Sequence, residues 1–223
     1  MSTDSGSSLV TSHLPLATPP PGLPPGRRLA RLTVEQYEAM VASGAFTKRD
    51  RLELIEGMLV EKMTKRRKHS RGSSNSRQAI ERALPAGWHL EVEASVRIPA
   101  RDSEPEPDLY VARGVADDYE EVSPGPEDVA LVVEVADTTL AADRAMAATY
   151  GGGGIAVYWI VNVNDRQLEV YANPVAGAYG PPVILGETEL APLVVAGQVV
   201  AQIPVADLLP RKRRAGSELT GPK

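Results

Sequence analysis

Ala130-Leu131-Val132-Val133-Glu134-Val135-Ala136 is a seven-residue run with a single charge. Apolar residues without polar alternation predict a central strand covered on both faces. Glu134 is the exception. A carboxylate that is buried, ionised and unpartnered costs several kcal/mol, so a strand that keeps one has a use for it. A second acid, Asp108, opens another extended segment, Asp108-Leu109-Tyr110-Val111. Two carboxylates meeting on neighbouring strands make a hard-oxygen site for Mg²⁺ or Mn²⁺. Such a site is the ordinary equipment for hydrolysing a phosphodiester.

Outward from this pair the chain divides into short elements. His89 to Ile98 alternates, with Leu90, Val92, Ala94, Val96 and Ile98 on one face, which predicts a half-exposed strand. Pro99, Pro105 and Pro107 mark a loop, and 113–127 is an acidic surface loop. After the central strand, 139–150 predicts a short helix. Gly151–Gly154 lacks the Lys-Ser/Thr of a phosphate loop and predicts a flexible connection. Ile155–Val163 and Gln167–Ala172 predict a hairpin through Asn164-Asp165, with short strands near 183–185 and 193–203 and a last helical turn at Val205–Leu209. On the N-terminal side, Thr33 and Gln36 form a capping box for a helix ending near Gly44. Leu52–Ile55 and Met58–Val60 flank a turn at Glu56-Gly57. From about Ser70 to Leu84 a helix is predicted, with Ala79, Ile80 and Ala83 on its apolar face, stopped by Pro85-Ala86-Gly87. The expected fold is α/β (α+β), a mixed central sheet flanked by helices.

Length and composition fit one domain with tails: 223 residues, 43% apolar and 24% charged. Residues 1–28 are expected to be a disordered Pro/Ser-rich arm, 29–210 the domain, and 211–223 a basic flexible tail. There is no run of 18 apolar residues and no basic-then-apolar leader, so neither a membrane span nor a secretory signal is expected, and a cytoplasmic location is. The absence of Cys excludes thiolate metal sites, and three scattered His (His13, His69, His89) argue against an all-His zinc site. A net charge of −5 argues against a wholesale cationic nucleic-acid binder. Basic residues cluster locally at Lys65-Arg66-Arg67-Lys68 with Arg71, and at Arg211–Arg214. The first cluster has two readings, a solvated loop or a phosphate contact beside the cleft. Trp88 and Trp159 read as core or edge-packing residues, and an aromatic content of 4% argues against a stacking single-strand binder.

Several motifs in order then carry a resemblance. They are Leu32-Thr33-Val34-Glu35-Gln36-Tyr37, Leu52-Glu53-Leu54-Ile55-Glu56-Gly57 with His69, Ser103 through Leu109, Asp128 through Asp137, Tyr158 through Asn162, Asp165 through Tyr171, and Ile203 through Leu209. Together they resemble the bacterial family of putative restriction endonucleases within the PD-(D/E)xK nuclease superfamily, of the cyanobacterial and planctomycete type. The resemblance implies a restriction-endonuclease-like fold, Mg²⁺ (or Mn²⁺) as cofactor and endonucleolytic hydrolysis of a nucleic acid, DNA by the family label. It places Asp108 and Glu134 on the metal with the main-chain carbonyl of Val135, Glu53 near the metal as a further acid, and His69 before the second helix. It also implies a homodimer.

One departure stands out. The superfamily pattern puts a Lys two residues after the strand acid, where this chain has Ala136. Family members instead supply a Lys four residues before a helix Tyr; the Tyr matches Tyr150, but that position is Met146. Arg144 is the sole basic residue from 114 to 157 and, being permanently protonated, cannot serve as a base. Attenuated catalysis is one consequence. The alternative is a nuclease-fold protein that no longer cleaves and acts by binding nucleic acid, or as a dimeric interaction module. Each residue also has a plainer reading. Asp108 caps backbone amides, Glu134 joins a structural pair with Arg97 or Arg144, Glu53 faces solvent, and His69 is solvated in a basic loop.

Overall fold

The central strand forms where the apolar run lies. In the computed structural model it is β5 (Val129–Ala136), with every residue buried except half-buried Glu134. The model describes residues 29–46, 50–62 and 67–212. The expected arm 1–28, Lys65 and Arg66 of the basic run, and the tail from 213 lie outside the described residues. The chain divides into two units between Arg31 and Leu32. Only residues 29–31 of the first are described, without helix or strand. The fold below is that of the second.

Ten strands and four helices follow in order: α1 (Val34–Ala42), β1 (Leu52–Ile55), β2 (Met58–Glu61), α2 (Arg67–Glu81), β3 (Trp88–Val92), β4 (Leu109–Arg113), β5, α3 (Leu140–Gly153), β6 (Val157–Asn162), β7 (Gln167–Ala172), β8 (Val183–Gly186), β9 (Leu190–Val195), β10 (Gln198–Pro204) and α4 (Val205–Leu208). Six strands make one sheet in the order β3-β4-β5-β6-β7-β8. Its pairs are antiparallel except β5–β6, which α3 connects in parallel. This is the mixed sheet with flanking helices that the sequence predicts. The hairpins β1–β2 and β9–β10 stand outside it.

Strand periodicity splits the core in two. Leu131, Val133 and Val135 of β5 join Trp159 and Val161 of β6 in a cluster with α2, β9 and α4. Val132 and Ala136 face the other way, with Tyr150 of α3 and Tyr158. Glu134 shares the parity of Val132 and Ala136, so it points to the α3 side. The capping box of α1 is present, with Gln36 N–H donating to Thr33 Oγ1 at 3.3 Å and Thr33 N–H to Gln36 Oε1 at 3.0 Å.

α2 starts at Arg67, earlier than predicted, and lies on the sheet through small residues. A Cβ at Gly72 would stand 2.8 Å from Val135 and 3.0 Å from Val163. Asn75 Nδ2 donates to the Leu209 carbonyl at 2.7 Å, tying the helix to the chain after α4. Gly72→Ala is therefore expected to lower unfolding free energy by about 1–3 kcal/mol, because overpacking outweighs the gain in helix propensity. Urea denaturation checks this; an unchanged midpoint contradicts the close approach.

Three expectations change. The strand predicted to Ile98 ends at Val92, because Glu93 takes a left-handed conformation (φ 52°). Alternation persists beyond it, but the chain has pivoted: Leu90 and Val92 pack with the α2 side, Val96 and Ile98 with the α3 side. The single strand expected over 193–203 is a hairpin turning at Ala196-Gly197, both at positive φ. The glycines after Tyr150 are not a loose connector. Gly151–Gly153 complete α3, and Gly154 caps it at φ 88°. A side chain at Gly153 would collide with Ile98, and one at Gly151 would sit 2.9 Å from Tyr179.

Candidate active site

β4 and β5 pair with Leu109 opposite Val133 and Tyr110 opposite Val132. One step further along this register sets Asp108 opposite Glu134. The two carboxylates exchange main-chain partners across the strands. Val135 N–H donates to Asp108 Oδ2 at 2.8 Å, and Asp108 N–H donates to Glu134 Oε2 at 3.3 Å. Asp108 is 3% exposed and caps a backbone amide, as its plainer reading has it. Val135 meets Asp108 through its amide, while its side chain is buried on the opposite face.

The remaining predicted residues converge here. His69, in the first turn of α2, is buried rather than solvated, and its Nε2 lies 2.7 Å from Asp108 Oδ2. Against an ionised carboxylate, which only accepts, that nitrogen carries the hydrogen. Its Nδ1 has no hydrogen-bond partner among the described residues. Glu53 of β1 lines the same cleft and accepts the Glu106 N–H at 3.0 Å through Oε2. The arginines offered as structural partners of Glu134 are engaged elsewhere. Arg97 binds Glu35 and Glu38, each at 2.7 Å, and Arg144 forks onto Glu169 at 2.6 and 2.9 Å. Glu134 instead accepts the Tyr150 hydroxyl at 3.2 Å through Oε1.

The residues the sequence did not single out for the site are Asp143 and, as a hydrogen-bond donor, Tyr150. Asp143 stands in the first turn of α3 and takes the Thr139 hydroxyl at 2.7 Å. Four-residue spacing between Thr139 and Asp143 is the local signal, and it is too common on helices to single out a site. Burial, with added repulsion from Asp108, pushes the Asp143 carboxyl up to about 6, while the Thr139 hydroxyl and His69 oppose the rise. Burial likewise holds Glu134 well above the usual carboxylate range, reinforced by Asp108, Asp143 and Glu53 and opposed by the Asp108 amide. Tyr150 is raised well above its ordinary value, first by burial and then by Glu134.

An acid raised on folding binds more protons folded than unfolded between its two pKa values. Its contribution to stability is therefore lost as pH rises through that window. Asp143 is expected to weaken the metal-free fold between about pH 4 and pH 6, by at most about 3 kcal/mol. Asp143→Asn should flatten the melting temperature across that range. A variant whose profile parallels the wild type contradicts the assignment.

All these acids border one cleft of about 1090 Å³. Nine carboxylates line it, against two Lys/Arg side chains, Arg51 and Lys62. An assembly so rich in like charge repels a phosphate backbone unless a cation intervenes. Its donors are hard oxygens, which suit Mg²⁺ or Mn²⁺. Among the described residues, no group of three or more His, Asp or Glu is arranged to hold a metal ion. The donor set therefore suits an ion held by two carboxylates and completed by water, the usual habit of Mg²⁺.

Sheet order and the paired strand acids define a nuclease-like α+β domain. The chain belongs to the Uma2 family, described as "Putative restriction endonuclease", whose pattern it matches over residues 34–206. Among solved structures it resembles a putative nuclease belonging to DUF820 from Anabaena variabilis ATCC 29413, with a TM-score of 0.58 and 16% identity. The match covers 79% of this chain and 97% of that one, and it shows a shared fold. No curated protein matches the chain. Among the described residues no helix is long and apolar enough to cross a membrane.

Proposed function

We propose that this protein is a metal-dependent endonuclease that hydrolyses phosphodiesters of a nucleic acid, with DNA as substrate. The observation that carries this reading is the pairing of Asp108 and Glu134, opposite one another on adjacent strands in an acidic cleft and held there by each other's strand. Burial raises Glu134 and repulsion from Asp108 adds to the rise; a divalent cation favours the ionised form against both. Asp108 and Glu134 would hold Mg²⁺ or Mn²⁺, with the Val135 carbonyl as a main-chain donor. When bound, the ion acidifies a water and neutralises charge on the scissile phosphate.

The protein's own groups set the stage for that chemistry. His69 and the Val135 amide fix the Asp108 carboxylate through Oδ2. The Tyr150 hydroxyl orients Glu134. Asp143, pushed up to about 6 by burial, is suited to take a proton in the cleft. Exposed Arg67, Lys68 and Arg71 on α2 offer phosphate contacts that set register rather than sequence.

Purified protein with Mn²⁺ and supercoiled plasmid tests this. Nicking is expected, and Asp108→Ala should abolish it. Tight plasmid retention without nicking supports the second reading, a binding protein without catalysis. Two observations favour that reading: Ala136 is 1% exposed in an apolar cluster, and Met146 packs against the same cluster, so neither position presents a cation.

A further inference from the structure

The two positions where a lysine is expected are apolar, and Arg144 is committed to Glu169. The cleft wall still carries a lysine. We propose that Lys62, at the end of the β1–β2 hairpin, is the catalytic cation that engages the scissile phosphate. The inference rests on the nuclease reading above.

Geometry places Lys62 there. Its amide donates to the Arg51 carbonyl at 2.8 Å, closing the open end of the hairpin. Strand β1 runs beside the segment leading to Asp108, since Leu54 bridges Glu104 and the Glu104 N–H donates to the Leu54 carbonyl at 2.7 Å. The hairpin thus forms a wall of the cleft together with Glu53, whose charge is felt at Glu134. The Lys62 ammonium forms an ion pair with Glu106, two residues before Asp108. Its side chain is 22% exposed and that of Glu106 31%, so the pair is partly withdrawn from water yet open to the cleft. Arg51, the other basic side chain on the wall, is exposed.

An ammonium has three hydrogens to donate. Lys62 can therefore keep Glu106 and also bind a non-bridging phosphate oxygen. Charge on that oxygen grows as water attacks phosphorus and the ester P–O bond breaks, so a fixed cation there favours the transition state over the ground state. Glu106 acts as a positioning residue that holds Lys62 toward the acid pair while the cleft is empty.

Two measurements on the full chain test this. The first is binding of a fluorescein-labelled DNA duplex in Ca²⁺, by anisotropy across a salt series. Lys62→Gln should reduce the slope of log K against log salt by about 0.9, one phosphate contact. Lys62→Arg should restore the slope, and Glu106→Gln, which keeps the cation but frees it, should lower the slope less than Lys62→Gln does. The second is plasmid nicking in Mn²⁺, where Lys62→Gln is expected to lower kcat at least about 100-fold and Glu106→Gln much less. If Lys62→Gln binds and cuts like an active wild type, or if both variants merely lose thermal stability equally, the role assigned to Lys62 is overturned and the nuclease reading stands. If the wild type does not nick, whether or not it binds, the nuclease reading falls and takes this inference with it.

Discussion

Glu134→Gln is expected to abolish cleavage and, at the same time, to stabilise the metal-free protein. The two effects share one cause. Glu134 is held well above the usual carboxylate range by burial and by Asp108, so ionising it costs folding free energy. The sign follows from proton linkage. The folded chain binds the extra proton, so stability falls as pH rises above the ordinary carboxylate value. Gln removes that loss: its carbonyl accepts from the Asp108 amide, and its NH2 donates to the Tyr150 hydroxyl oxygen once that hydroxyl turns. A gain of about 1–2 kcal/mol is expected at pH 7, or about 2–8 °C in melting temperature for a domain of this size. Plasmid nicking should fall by at least about 100-fold, as expected when a charge-bearing group of a reaction site is removed. Differential scanning calorimetry without metal, alongside the nicking assay, reads both. A variant less stable than wild type would mean that Glu134 is structural.

Arg144→Ala is expected to have the opposite profile. Its guanidinium forks onto Glu169, whose side chain is 0% exposed, with 2.6 and 2.9 Å contacts. Removing one partner of a buried pair strands the other charge, which costs about 3–5 kcal/mol when both are deep. Arg144 is itself 49% exposed and Tyr171 also donates to Glu169 at 3.4 Å, so water and that hydroxyl recover part of the loss. About 2–4 kcal/mol is expected. Cleavage per folded molecule should be unchanged, because Glu169 on β7 pairs with Ile160 of β6, strands away from Asp108 on the approach to β4. Equilibrium denaturation and nicking corrected for the folded fraction separate the two. Normal stability with lost nicking would give Arg144 a part in cleavage instead.

These contrasts show what was legible in the sequence. Glu134 and Asp108 stood out because an acid beside an apolar strand is expensive, and the register brings them opposite each other. Two apolar runs separated by a helix were legible, but their parallel pairing as β5 and β6 appears only in the register. His69 was legible only as a position: a histidine among five cations looks solvated until the helix turns it onto Asp108. Asp143 and Lys62 were not visible, since a helix-start Asp and a hairpin-end Lys are ordinary surface choices. Their meaning comes from tertiary placement around the cleft. The bend at Glu93 was hidden because side-chain alternation continues through it while the backbone changes faces. The glycines ending α3 misled for a related reason. Gly supplies either freedom or closeness, and here Ile98 and Tyr179 demand closeness.

Anomalous diffraction from crystals soaked in Mn²⁺ tests the central claim most directly. The account predicts a Mn²⁺ peak bonded to carboxylate oxygens of both Asp108 and Glu134, absent from Glu134→Gln crystals. A map with no peak at that pair, under conditions that saturate other carboxylate sites, would contradict it.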